Sequence, residues 1–195
     1  MPLLQKYRAV FAQSSYYHVF NRANGMEKLF CDDDEYLLFL DKLSKHLDKI
    51  NICAYCLLPN HFHMLIFVPD VIPEPATEVP DMMRQAFKEY AQAVNFRRGR
   101  CGNLMRKPFR RIHVNTEAYA LSVIHYIHYN PTHHGIMADW REWRWSSWAQ
   151  LSGTATGIAD KKAALDIFGG LDKLLQVHDM LSDYRAVREF LIEVD

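Results

Sequence analysis

Two apolar runs, residues 52 to 58 and 61 to 68, are separated by nothing but Pro59 and Asn60. Both are turn residues, and so short a connection joins antiparallel neighbours, because a parallel return needs a crossover of about a dozen residues or more. The second run alternates. Side chains along a strand point to opposite faces in turn, so His61 and His63 project on one side while Phe62, Met64, Ile66 and Val68 line the other. The apolar face asks for a core. The other carries two imidazoles at a fixed spacing, which a divalent cation can use because neutral imidazole is a common metal ligand. The same His-x-His is also compatible with two half-exposed polar residues, and the rest of the chain has to decide.

Residues 15 to 21 (Ser-Tyr-Tyr-His-Val-Phe-Asn) are aromatic and β-branched, as a strand requires, and Asn24-Gly25 follows as a turn. Asp32, Asp33 and Asp34 then precede Tyr36, Leu37, Phe39, Leu40, Leu43 and Leu47, which predicts a helix over about 33 to 49 with acids at its positive end. Beyond the hairpin, residues 69 to 80 hold four prolines and three acids and read as an extended loop. Met82, Met83, Phe87, Tyr90, Ala91 and Val94 predict a second helix over 81 to 97, and a glycine- and arginine-containing loop occupies 98 to 108. Residues 109 to 114 form a fourth strand. Asn115 or Thr116 caps a third helix that runs to Asn130, where Pro131 ends it by disfavouring helical geometry in the residue before it.

Strand, helix, strand, strand, helix, strand is the ferredoxin-like order. It predicts an α+β fold with a four-stranded antiparallel sheet, two helices on one face and the other face left for the third helix. All four tryptophans, Trp140, Trp143, Trp145 and Trp148, fall within nine residues and are read as anchors of the C-terminal part rather than as base-stacking groups. Residues 160 to 192 read as two short helices broken at Gly169-Gly170. The expected division is a main domain over 1 to 138 and a Trp-rich helical extension over 139 to 195.

Hydrophobic residues at 49% and charged residues at 24% fit an ordinary soluble globular protein. No apolar run reaches the roughly 18 residues of a membrane span, and no secretory signal precedes the first strand, so a cytoplasmic protein is expected. The four cysteines make no disulfide framework, and Cys53 and Cys56, inside a strand, read as core filler. The formal net charge is zero, yet Arg97, Arg98, Arg100, Arg106, Lys107, Arg110 and Arg111 lie within fifteen residues that contain no Asp or Glu. That stripe is read either as a path for a nucleic-acid backbone or as a solvated loop. Tyr16, Tyr17 and Phe20 could stack unpaired bases, with core packing as the plainer role.

The third helix contains Tyr126-Ile127-His128-Tyr129-Asn130-Pro131. Residues four apart share a helix face, so Tyr126 and Asn130 look the same way. If that face meets the histidine face of the sheet, the Asn130 oxygen becomes a third metal ligand beside a phenol. The alternative is a core tyrosine with a capping asparagine.

With these residues in view, the chain resembles the single-tyrosine transposases of the HUH nuclease superfamily, in particular the REP-associated tyrosine transposases. The resemblance rests on Tyr-His-Val-Phe-Asn-Arg (17 to 22), Ala-Tyr-Cys-Leu-Leu-Pro-Asn-His-Phe-His (54 to 63), Arg-Lys-Pro-Phe-Arg-Arg-Ile (106 to 112), Tyr-Ile-His-Tyr-Asn-Pro (126 to 131) and Trp-Ser-Ser-Trp (145 to 148). It spans about residues 16 to 150. It implies that His61, His63 and Asn130 bind Mg2+ or Mn2+ and that Tyr126 is the nucleophile of a transesterification on single-stranded or hairpin DNA, leaving a 5′-phosphotyrosine. Many members follow Asn-Pro with a Val-Arg-Ala-Gly-like run, where this chain has Thr132-His133-His134-Gly135, so DNA contacts are not carried over to that turn. His113, His125 and His128 are near enough in sequence to be considered as bases. A hairpin-binding regulator that does not cut, and a metal hydrolase using water, are the rival readings. The oligomeric state stays open between a monomer and a homodimer.

Overall fold

The computed structural model describes residues 7 to 180. Four strands, β1 (Ser15–Arg22), β2 (Asn51–Leu58), β3 (His61–Val68) and β4 (Arg110–Val114), form one sheet in the order β2-β3-β1-β4 with every neighbouring pair antiparallel. Helices α1 (Asp33–His46) and α2 (Pro75–Arg97) connect β1 to β2 and β3 to β4. The α+β, ferredoxin-like arrangement expected from the order of elements is therefore the fold of this chain.

Strand alternation makes two cores. Tyr17, Val19, Tyr55, Leu57, Phe62, Met64, Ile66 and Val68 are buried on the face covered by α1 and α2, with Phe39, Leu43, Met83, Phe87 and Tyr90 from those helices. A bulge at Cys53 re-phases β2, so that Ile52 joins this first face while Cys53 and Ala54 turn to the second. The second face carries Cys53, Ala54, Cys56, Leu58 and Leu65 against Val123, Ile124 and Ile127 of α3 (Glu117–His133). Both cysteines are fully buried free thiols, as core filler should be.

Three helix boundaries differ from expectation: α1 stops at His46 rather than near 49, with Leu47 as its C-cap, and the other two differ at prolines. α2 begins at Pro75, inside the segment read as a loop, because Pro75 occupies the first turn, where its missing N–H is no loss. Pro80 then sits inside the helix, tolerated because the apolar stripe already starts at Val79 and continues through Met83, Ala86, Phe87, Tyr90 and Val94. α3 likewise runs past Pro131 to His133. The proline removes one backbone donor in the last turn only, and the turn closes through His134 N–H to the Asn130 carbonyl at 3.0 Å.

The C-terminal part packs mainly on the second face and wraps the edge of β2, so that Trp145 reaches the first core. Trp143 Nε1 donates to the Leu57 carbonyl (3.0 Å), Leu57 N–H to the Trp145 carbonyl (2.9 Å), and Ser147 N–H to the Tyr55 carbonyl (2.9 Å). Residues 143 to 147 thus lie along the outer edge of β2 and occupy hydrogen-bonding groups that an open edge would expose. The tryptophans do anchor: Trp140 and Trp145 are buried, and Trp145 stacks on Tyr36 with centroids 4.5 Å apart. A 3-10 turn (Trp140–Glu142) and the short α4 (Trp148–Ser152) go beyond the expected elements. α5 (Lys161–Phe168) and α6 (Leu171–Met180) match the two short helices expected, with Gly169 in the left-handed conformation (φ 72°) as the break. The rest of the stretch expected to be helical, from 181 to 192, lies outside the described residues. No described helix is long and apolar enough to cross a membrane.

Candidate functional site

Antiparallel pairing of β1 with β3 sets Phe20 opposite His63, His18 opposite Leu65 and Arg22 opposite His61, so His18, Phe20, Arg22, His61 and His63 share the second face. α3 crosses this face and brings Tyr126 and Asn130 to it, because Val123, Ile124 and Ile127 of the same helix are drawn into the apolar cluster alongside. The His61 and His63 rings lie 5.2 Å apart, centroid to centroid, and the Tyr126 ring stands edge-on to His63 at 5.1 Å and to His18 at 6.1 Å. The four residues singled out by spacing, His61, His63, Tyr126 and Asn130, are therefore brought together.

Burial sets their electrostatics. His61 is depressed to about 3, first by burial and then by the charges of His134 and Arg22, partly offset by the Asn130 carboxamide. His63 is held well below its ordinary value by burial and by neighbouring imidazoles, and His18 is lowered to about 3 by burial alone. All three are neutral at pH 7, the form that offers a lone pair.

The hydrogen bonds show which atoms are left over. His61 Nδ1 is bonded to Asn60 Oδ1 (2.7 Å), His63 Nδ1 to His18 Nε2 (2.9 Å), and Asn130 Nδ2 donates to the Tyr126 carbonyl (2.8 Å). His63 Nε2 and Asn130 Oδ1 are buried and, among the described residues, make no hydrogen bond of ordinary geometry, although Oδ1 faces His61 closely enough to favour its protonated form. A buried acceptor without a donor is uncommon and needs a reason. A cation is such a reason. Among the described residues no three His, Cys, Asp or Glu side chains converge as a metal cage, so a donor set here would be two imidazoles and a carboxamide oxygen. Such a set fits a divalent ion with positions left open.

Other histidines divide between rim and core. His134 packs on His61 (4.7 Å) and His133 on His134 (4.8 Å), at the C-terminal end of α3. His113 faces Tyr17 on the opposite side of the sheet. His125 and His128 lie among Trp140 and His178, away from the Tyr126 face. Tyr17 and Phe20 are core residues, and Tyr16 is half-buried against Phe67 (4.8 Å).

The basic stretch splits in three. Arg97 pairs with Asp32 (3.0 Å) and Asp34 (3.2 Å), Arg98 with the buried Glu35, and Arg100 with Glu27 (2.5 Å). Arg110 stands on the histidine face of β4, its guanidinium 5.1 Å over the Tyr7 ring. Arg106, Lys107 and Arg111 line a cavity of about 880 Å3 between α2 and residues 102 to 109, and Arg84 and Lys88 line its other wall. Lys88, Arg106, Lys107 and Arg111 have no carboxylate partner among the described residues. Sequence reasoning passed over Arg84 and Lys88, whose spacing of four on one helix face was the available signal. It also passed over His18 and Arg22, which strand alternation in β1 places beside His61 and His63.

No family model matches the chain, and no curated protein does. A solved structure of a REP-associated tyrosine transposase bound to a REP hairpin matches it with a TM-score of 0.62 at 19% sequence identity, over 79% of this chain and 93% of that one. With a ferredoxin-like sheet, a tyrosine-bearing helix across its free face and a C-terminal part folded back on that face, this chain has the fold of a REP-associated tyrosine transposase.

Proposed function

We propose that this protein is a metal-dependent nuclease and strand-transferase acting on single-stranded or hairpin DNA through Tyr126. One observation carries the reading: the Tyr126 ring lies against His63, and beside it two buried polar atoms, His63 Nε2 and Asn130 Oδ1, make no hydrogen bond of ordinary geometry. His61, His63 and Asn130 would hold Mg2+ or Mn2+, which when bound polarises a phosphoryl oxygen and offsets the charge developing on it. Tyr126 supplies the nucleophile. Its oxygen bonds to phosphorus as the bond to the 3′-oxygen breaks; the phenol gives up one proton and the departing 3′-hydroxyl gains one. The 5′-phosphotyrosine keeps the energy of the broken ester for rejoining. Arg22 and Arg110, on the same face, add positive charge where the phosphate would approach. The groove lined by Arg84, Lys88, Arg106, Lys107 and Arg111 offers a second stretch of positive surface for the DNA backbone.

Tyr126 is only 3% exposed, so a phosphodiester reaches it only if α3 or its surroundings shift on DNA binding. That burial favours the rival reading, a hairpin-binding protein that does not cut. A labelled hairpin oligonucleotide with an unpaired 5′ flank, incubated with protein and Mn2+, separates the two. A covalent protein-DNA band that chelator abolishes, and that Tyr126→Phe abolishes while binding persists, is the expected result. Binding without any adduct over a panel of hairpins would establish the rival.

A further inference from the structure

His18 belongs to none of the roles above, yet it is 5% exposed, lies on the histidine face and makes one short contact: its Nε2 is 2.9 Å from His63 Nδ1. Two neutral imidazoles in that contact hold a single proton between them, and either ring can own it. The two arrangements differ in what they leave at the far side of His63. If His18 donates, His63 carries its proton on Nε2, a buried N–H with nothing to accept it. If His63 donates through Nδ1, its Nε2 bears a lone pair, which a cation can fill. Either arrangement leaves His63 Nε2 buried and unpaired, at roughly 1 to 3 kcal/mol, but an orphaned N–H is the rarer case, and the second arrangement moves the remaining proton to His18 Nδ1, on the ring that keeps some exposure.

We propose that His18 is a positioning residue that accepts the Nδ1 proton of His63 and thereby turns the His63 Nε2 lone pair toward a divalent cation. The cation half of this assignment rests on the function proposed above; the tautomer half rests on the hydrogen bonds alone. The ring arrangement supports it. His18 and His63 lie nearly parallel at 29° with centroids 5.1 Å apart, and Phe20, packed on both rings at 4.9 and 5.6 Å, restricts their rotation. A ligating imidazole ordinarily donates its other N–H to an acceptor that fixes tautomer and orientation. His61 has the same kind of partner in Asn60 Oδ1, so each histidine of the pair is held from its Nδ1 side.

The experiment is nitrogen-15 NMR of histidine-labelled, metal-free protein at pH 7, with His63 assigned by its loss in His63→Gln, followed by Mn2+ titration read by EPR. Wild-type His63 is expected protonated on Nδ1. His18→Phe keeps a ring on Phe20 and His63 but removes the acceptor; it should mix the His63 tautomers and weaken Mn2+ about 10- to 100-fold. His18→Gln, with a carboxamide oxygen, should recover much of both. Nε2 protonation of wild-type His63 would overturn the proposal, as would a folded His18→Phe that binds Mn2+ like wild type. If His18→Phe does not fold, the wild-type tautomer decides. A wild type with the Nδ1 tautomer that takes up no Mn2+ would overturn the cation assignment and leave the tautomer assignment supported.

Discussion

Arg98 and Arg106 stand eight positions apart in one basic stretch and do different work. Arg98 Nε donates to Glu35 Oε1 at 2.8 Å, and its terminal nitrogens reach the Lys28 and Leu29 carbonyls at 2.9 and 3.0 Å. Glu35 is 1% exposed and also accepts from Cys31 N–H (2.7 Å). Removing the guanidinium leaves a buried carboxylate with one neutral donor, the situation that makes a broken internal pair costly. Arg98→Met is therefore expected to destabilise the protein by about 3 kcal/mol in urea unfolding, and Glu35→Leu in the same chain should recover most of it. Arg106 has no such partner among the described residues. Arg106→Ala should leave the unfolding midpoint nearly unchanged and weaken oligonucleotide binding, a contrast read by unfolding and fluorescence anisotropy on the same two variants.

At the scale of elements, α2 and α6 each make a claim that can be measured. Arg84 and Lys88 sit one turn apart on the groove side of α2, facing Arg106 and Lys107 across the cavity. If a single strand lies there, Arg84→Ala with Lys88→Ala should reduce the slope of log affinity against log salt by about 0.7 for each phosphate no longer neutralised. An unchanged slope would place the backbone elsewhere. α6 is tied to α3 by imidazoles: His128 Nδ1 to His178 Nε2 at 2.9 Å, His128 Nε2 to Ser147 Oγ at 2.9 Å, and His178 Nδ1 to the Leu174 carbonyl at 2.8 Å. Burial lowers His178 to about 3 and His128 well below its ordinary value. Unfolded, both take a proton near pH ~6.5. Between those values the unfolded chain holds more protons than the folded one, so stability is full above about 6.5 and falls as pH decreases toward 3. Urea midpoints of metal-free protein should drop from pH 7 to pH 5, with each buried imidazole contributing up to ~1.4 kcal/mol per pH unit. His178→Gln should remove one imidazole's share of that slope, the rest coming from His128, His18, His61 and His63. A midpoint constant over this range would mean that these histidines are not held neutral.

The molecule as a whole separates what local pattern conveys from what it does not. The hairpin around Pro59-Asn60, the alternation in β3 and the apolar spacing of α1 each follow from interactions within a few residues, and the structure agrees with all three. The proline boundaries do not, because a proline's cost depends on what the turn around it buries: Val79 lies ahead of Pro80 on the core side of α2, a fact of tertiary packing. The basic stretch is the sharpest case. Its charge is plain in the sequence, but which arginines are committed to Asp32, Asp34, Glu35 and Glu27 depends on chain returning from 63 to 73 positions away. The edge cover formed by residues 143 to 147 has no local signal either, since its partners are the backbone groups of β2. At the site, spacing alone paired His61 with His63 and Tyr126 with Asn130, because a strand repeats every two residues and a helix face every four. Only the fold set one pair against the other and slid His18 in behind His63, because strand pairing and helix packing are long-range choices that no window of sequence contains.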